Sequence, residues 1–71
     1  MSKEKIEVEA TVREEFKGGQ FLLELGNGHK VMAYICGKMR LHKIRIVPQD
    51  MVLVSLSPFD LSRGIITRRL D

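Results

Sequence analysis

An all-β domain, folded as one small barrel of five short strands, is what this sequence predicts, and three observations predict it. Apolar residues recur with a period of two through most of the chain, and Gly, Pro, Asn and Asp punctuate the alternating runs. The 71 residues are too few to enclose more than one core, because a chain of this size buries only about 60% of its unfolded surface. One domain spanning 1–71 is therefore expected. A hydrophobic content of 44%, with six Gly and two Pro, belongs to a folded domain and not to a linker or disordered tail.

The first strand is the clearest: Ile6, Val8, Ala10 and Val12 alternate with Glu7, Glu9, Thr11 and Arg13, as expected of a strand with one face in a core and one in water. Glu4, Glu14 and Glu15 extend the outer face and end of that strand. Lys17-Gly18-Gly19-Gln20 breaks the pattern, and Phe21, Leu23 and Leu25 resume it as a second strand. Gly26-Asn27-Gly28 tolerates positive φ and reads as a hairpin tip. A third strand then runs from about His29 to Ile35, with Val31, Ala33 and Ile35 facing the core. Alternation lapses from Cys36 to Ile46, where Met39 and Lys43 fall four apart, as in a short helical turn. Val47-Pro48-Gln49-Asp50 is a turn, and Val52, Val54 and Leu56 form the inner face of a fourth strand. Residues Pro58 to Gly64 read as a loop and Ile65 to Arg69 as a short last strand. Five strands with a helical turn between the third and fourth match an OB-fold, a Greek-key barrel. An SH3-like barrel also accommodates five strands, and the pattern favours the OB-fold over it.

Composition narrows the function classes. Residues 1–35 hold five Lys/Arg against six Glu, a balance of −1, whereas residues 36–71 hold seven Lys/Arg against three Asp, a balance of +4. Such asymmetry points to a polyanion-facing surface built mainly by the second half, the alternative being a solvated basic face. A lone cysteine, Cys36, excludes an internal disulfide and fits a reducing cytosol. The start Met1-Ser2-Lys3-Glu4-Lys5 has no apolar signal core, and no run approaches the roughly 20 apolar residues of a membrane span. A cytoplasmic, unprocessed monomer without membrane association is expected. His29, His42 and Cys36 make no metal-ligand spacing, and a Cys-His catalytic pair would lack an orienting group. Phosphate-loop, dinucleotide and paired-carboxylate motifs are also missing. No catalytic residue, metal or cofactor is expected.

Lys38, Arg40, Lys43 and Arg45 place four cations within eight residues, the kind of cluster that binds RNA by neutralising phosphates and releasing counterions. Arg63, with Arg68 and Arg69, comes from the connection between strands four and five and from the last strand, beside the binding face of an OB-fold. Lys17, Gly18 and Gly19 lie in the other loop that OB-folds use for nucleic acid, where glycine lets backbone approach RNA and where a plain flexible turn is the alternative. Aromatic residues are sparse. Phe21 is assigned to the core, and Tyr34, opposite the face of Val31 and Ala33, is either a base-stacking residue or a surface tyrosine. His29 is either an RNA hydrogen-bonding group or a structural histidine. Met32, Met39 and Met51 offer adaptable apolar contacts to a protein partner or ordinary packing.

The run from Asn27 to Arg40, containing Gly37-Lys38-Met39-Arg40, and then Ile44-Arg45-Ile46, resembles the central block of the bacterial translation initiation factor one family. Asp50, Val52, Ser57-Pro58-Phe59-Asp60-Leu61 and Gly64 resemble its closing block, so the likeness covers about residues 5 to 69. The resemblance implies an S1-like OB-fold RNA-binding domain that binds rRNA at the aminoacyl site of the small ribosomal subunit. It also implies neighbouring ribosomal protein and the second and third initiation factors as partners, and a role in blocking premature tRNA binding. The rRNA-binding residues so expected are Lys17, Gly18, His29, Tyr34, Lys38, Arg40, Lys43, Arg45, Arg63 and Arg69. Leu41, Ile65 and Arg68 depart from the family pattern, and Asp71 places a negative residue beside Arg68 and Arg69. Two other readings remain: a general single-stranded RNA binder or RNA chaperone, and a protein-interaction module using exposed Met51 and Leu53.

Overall fold

A computed structural model describes residues 6–70. Its elements are β1 (Ile6–Phe16), β2 (Gln20–Leu25), β3 (Lys30–Ile35), α1 (Gly37–Leu41), β4 (Met51–Ser57) and β5 (Asp60–Leu70). Glu4 and Asp71 lie outside the described residues. The strands close into a barrel in the order β1-β2-β3-β5-β4. With the helix between β3 and β4, this is the OB-fold, so the SH3-like alternative falls away.

Alternation sets the core. Val12, Leu23, Val31, Ala33, Val52, Val54 and Ile66 are buried, joined by Ala10, Phe21 and Leu56, while Val8, Leu25, Ile35 and Cys36 pack partly against them. β1 is long enough to pair with β4 through its first half and with β2 through its second. A bulge at Arg13, between the pairs Val12↔Leu23 and Glu14↔Leu22, bends it from one neighbour to the other. The β1–β2 turn uses Gly18 and Gly19 at φ +82° and +80°. In the β2–β3 turn, Gly28 adopts φ +90° and its N–H donates to the Leu25 carbonyl over 2.9 Å.

The last strand differs from the sequence reading. Residues 60–64 are strand, not loop, so β5 begins at Asp60 after the two-residue turn Pro58-Phe59. Ser57 pairs with Asp60, but the next β4 residue, Leu56, pairs with Gly64, so Leu61, Ser62 and Arg63 are an excursion on the β5 side. These residues bury nothing, and a strand without an inner face leaves no alternation to read. The excursion lets β5 cross to β3 and pair with it in parallel, Met32 opposite Arg63 through Ile35 opposite Ile66. The expected helical turn is present as α1, but it ends at Leu41, and Lys43 stands beyond it at φ 55° instead of stacking a helical turn from Met39. The third strand starts at Lys30, one residue after His29.

Gly64 is where the barrel closes most tightly. A Cβ there would lie 2.7 Å from Val54 Cγ2, 2.8 Å from the Ser55 carbonyl oxygen and 2.9 Å from Leu56 Cδ2. A rotamer change can move the two side chains but not the carbonyl. Gly64→Ala is expected to lower the free energy of unfolding by about 1–3 kcal/mol, read as a lower urea midpoint. An unchanged midpoint would mean that β4 and β5 can separate at no cost.

Candidate nucleic-acid interface

The ten residues expected at an RNA interface occupy three places in the structure: a basic end, a groove on the outer strand faces, and the β2–β3 turn held by His29. The basic end is the connection from β3 to β4. It has little regular structure, so its position depends on a few anchors. Met39, the one buried residue of α1, and Ile46 insert into the core, both 2% exposed. Packing, not partner contact, is therefore the role of Met39. The Cys36 N–H donates to the Ile66 carbonyl over 2.9 Å and extends the β3–β5 ladder into the helix start. At the helix end, the Lys43 N–H donates to the Arg40 carbonyl (3.1 Å) and the Ile44 N–H to the Met39 carbonyl (3.0 Å). Those two bonds with a left-handed residue between them make a Schellman motif, a position that usually takes glycine. Here it is lysine.

On this scaffold Lys38, Arg40, Lys43 and Arg45 are all exposed, and among the described residues none forms a salt bridge. The β1–β2 turn lies against the same end: a Cβ at Gly19 would sit 3.0 Å from Arg40 Nη2. Lys17 and Gly18 are exposed in that turn, and nothing lies within 4 Å of a Cβ built on Gly18. Gly19, Arg40, Lys43 and Arg45 line a shallow depression that also includes Glu15, the acidic group nearest in chain to this turn. Arg69 reaches the region differently: its Nη1 donates to the Arg45 carbonyl over 2.9 Å, bracing the backbone that presents Arg45. Leu41, among these cations, is 76% exposed.

Tyr34 and Arg63 lie elsewhere, on the outer faces of β2, β3 and β5. Cross-strand register there makes the rows Phe16–Gln20–Tyr34–Ile65 and Glu14–Leu22–Met32–Arg63. The Gln20 amide Nε2 donates to the Tyr34 hydroxyl oxygen over 2.7 Å. Lys30 borders the same groove, and its cross-strand neighbour Glu24 is engaged by Arg13 Nε at 2.9 Å. Among the described residues, the ion pair of Arg63 is a long contact of 3.8 Å to Asp60. The Asp60 carboxyl is held below its ordinary pKa chiefly by hydrogen bonds from the Ser62 hydroxyl and N–H, with Arg63 contributing least. Sequence reading missed Lys30, Gln20 and Leu22, and took Met32 for a protein contact or packing, since only their register assembles them. Alternation alone could have marked Lys30 and Met32 as facing out with Tyr34.

His29 is the clamp. Its Nε2 lies 3.0 Å from the Leu61 carbonyl, which can only accept, so the ring donates there and ties the β2–β3 turn to the β5 excursion. The Asn27 side chain fixes the turn by accepting from the His29 N–H over 3.0 Å. Of the two roles expected for His29, this geometry favours the structural one. On β4, Met51 is 39% exposed but Leu53 is half-buried, so the apolar surface offered for protein contact is smaller than the sequence suggested. Among the described residues, no three of His, Cys, Asp and Glu are grouped to hold a metal ion.

The family model for Translation initiation factor 1A / IF-1 matches residues 1–71. The chain belongs to that family. A solution structure of translation initiation factor one from the Wolbachia endosymbiont strain TRS of Brugia malayi is similar, with 38% sequence identity and a TM-score of 0.78 over 94% of this chain and 79% of that one. YjeQ from Thermotoga maritima matches with 22% identity and a TM-score of 0.73 over 93% of this chain and 23% of that one, a likeness of fold alone. Membership makes the protein a translation initiation factor, and the initiation-factor OB-fold expected from its central and closing sequence blocks is the fold observed.

Two substitutions check how the basic end of this initiation factor is held. Met39→Ala should cost about 2–5 kcal/mol of stability, as a buried methionine lost from a core does, although it alters no charge; chemical denaturation measures it. Lys43→Gly removes a charge yet should raise stability by up to about 1 kcal/mol, because relief of left-handed strain exceeds the added unfolded-state entropy of glycine. A lower midpoint for Lys43→Gly would show that the lysine side chain, not its backbone, holds the connection.

Proposed function

We propose that this initiation factor binds rRNA of the small ribosomal subunit in the decoding region, at the aminoacyl site. There it blocks premature binding of tRNA and acts with the second and third initiation factors. It does so by binding alone, as a single OB-fold domain with no bond made or broken. Ribosomal protein beside that site completes the surroundings. The observation that carries this reading is the basic end: Lys38, Arg40, Lys43 and Arg45, exposed without acidic partners among the described residues, beside the turn bearing Lys17 and Gly18.

Unpaired exposed cations favour a polyanion for a simple reason. An ammonium or guanidinium already neutralised by a carboxylate releases no counterion on meeting phosphate, whereas a free one does. Arginine adds geometry, since its planar guanidinium can fork onto a phosphate or lie flat on an unpaired base. Arg69 contributes indirectly by holding the Arg45 backbone, and His29 by fixing the hairpin beside the outer groove. Because the anchors Met39 and Ile46 bury no charge, the cations can be replaced without opening the core.

Binding of the labelled protein to purified small subunits across a salt series, with chemical footprinting of the decoding-region RNA, tests the reading. The Arg40→Ala, Arg45→Ala double variant should remain folded, bind more weakly at every salt, and reduce the slope of log K against log salt by about 1.5–2, in proportion to two lost phosphate contacts. Wild-type protections should be confined to the aminoacyl site. Unchanged affinity in the double variant would refute the role given to the basic end, and diffuse protections would refute the site.

A further inference from the structure

The barrel has a second end, and its chemistry is the reverse of the basic one. β3 runs into the basic connection and β4 leaves it, so the β2–β3 turn and the β4–β5 turn share the other end. His29 ties those two turns together through the Leu61 carbonyl at 3.0 Å. Between Met51 and Ser57, β4 advances about 20 Å at about 3.4 Å per residue, which sets the separation of the two ends. Residues 26–29 and 57–62 hold no Lys or Arg and one charged side chain, Asp60. What they do hold is an aromatic ring in water. Phe59 is 96% exposed, more than any other large apolar residue among those described. Leu61, two residues on, is also exposed, as is Ile6, opposite Leu56 where β4 nears the turn.

This exposure does not come from slack in the chain. Pro58 has its φ fixed by its ring, and the Phe59 N–H donates to Ser57 Oγ over 3.1 Å. Asp60 opposes Ser57 in the β4–β5 register, and its Oδ1 accepts from both the N–H and the hydroxyl of Ser62. With Leu61 held by His29, the backbone is fixed on both sides of the ring. Only the two χ angles of Phe59 remain to be ordered when the ring is buried, so docking it loses little entropy. Aromatic rings presented in this way anchor protein interfaces, whose centres are rich in aromatic residues and poor in charge. Nucleic acid fits the turn badly. Phosphates flanking a base stacked on Phe59 would meet the Asp60 carboxylate, and the cation that faces this carboxylate, Arg63, stands 3.8 Å from its Oδ2. An apolar pocket with a Lys or Arg at its rim suits both groups, the ring and an Oδ2 whose ion pair is that long and exposed.

We propose that Phe59 anchors a protein-docking knob: the β4–β5 turn inserts its ring into an apolar pocket of one of the initiation factors bound alongside, with a Lys or Arg of that factor on Asp60. The inference rests on the basic end holding the subunit RNA. With that end on RNA, the knob is carried about 20 Å away from it, toward a protein lying over the subunit and not one built into it. The chain then works as a bridge, with RNA at one end and protein at the other. Sites so far apart with no shared partner act additively, so each end can be removed without disabling the other.

The test replaces Phe59 by the photo-crosslinking residue p-benzoylphenylalanine and irradiates the full chain on purified small subunits carrying the second and third initiation factors. The adduct should survive ribonuclease and have the mass of this chain plus one factor. A ribonuclease-sensitive adduct, an adduct with a ribosomal protein, an adduct of two copies of this chain, or no adduct would each overturn the proposal. Phe59→Ala supplies the energetic arm. Its circular dichroism, its affinity for subunits alone and the salt slope of that affinity should match the wild type. The tightening of subunit binding that the two factors confer on the wild type should shrink about tenfold or more, as for the loss of an interface anchor. Equal tightening in Phe59→Ala, or none in the wild type, would refute the knob. A wild-type chain that does not bind subunits would sink the subunit reading and the knob with it, whereas decoding-region protections without a factor adduct would sink the knob alone.

Discussion

Closure of the barrel at Gly64 is the constraint on which the rest depends. β5 must leave its turn with β4, bulge through Leu61, Ser62 and Arg63, and lie parallel to β3. That path brings its backbone so close to Val54, Ser55 and Leu56 that no side chain fits. Ala33, the neighbour of Gly64 on β3, is also small and fully buried. With those two positions kept small, the inner faces of five strands meet over a core of aliphatic side chains. Closure also removes the edges through which short strands would pair with other chains.

The same closure positions both surfaces. Ile66 buries its side chain and lends its carbonyl to the Cys36 N–H, so the ladder that seals the barrel also fixes the start of the basic connection. The bulge that permits the crossing throws Arg63 toward Met32 and puts the Leu61 carbonyl within reach of His29. Electrostatics follows from geometry here. Cations gather where the chain is least regular, and carboxylates line β1, where a long strand keeps Glu7, Glu9 and Glu14 exposed on the outside.

Local strain marks the basic end as more than a connection. Lys43 at φ 55° and Gln49 at φ 83° both occupy left-handed positions that glycine would take without steric cost. Gln49 follows Pro48 in a turn closed by the Asp50 N–H and the Val47 carbonyl over 3.2 Å, and its own N–H donates to the Val12 carbonyl over 2.8 Å. Nothing in the structure explains a side chain at Gln49. At Lys43 the strained residue is itself one of the four clustered cations, which ties the cost to the charge.

By itself the sequence determined the inner faces of β1 to β4, the turns at glycine and proline, the family, and the concentration of positive charge in the second half. These depend on neighbours in the chain, through side-chain alternation and turn stereochemistry. The start of β5 escaped it because residues 60–63 bury nothing and leave no period. Only the tertiary structure decided how the cations divide. Arg69 braces a carbonyl, Arg13 takes Glu24, Lys30 is left beside a groove, and Tyr34 shares that groove with Arg63 and not with Arg40. Which carboxylate neutralises which cation, and which residues share a surface, depend on register between strands far apart in sequence, and no local pattern contains that register.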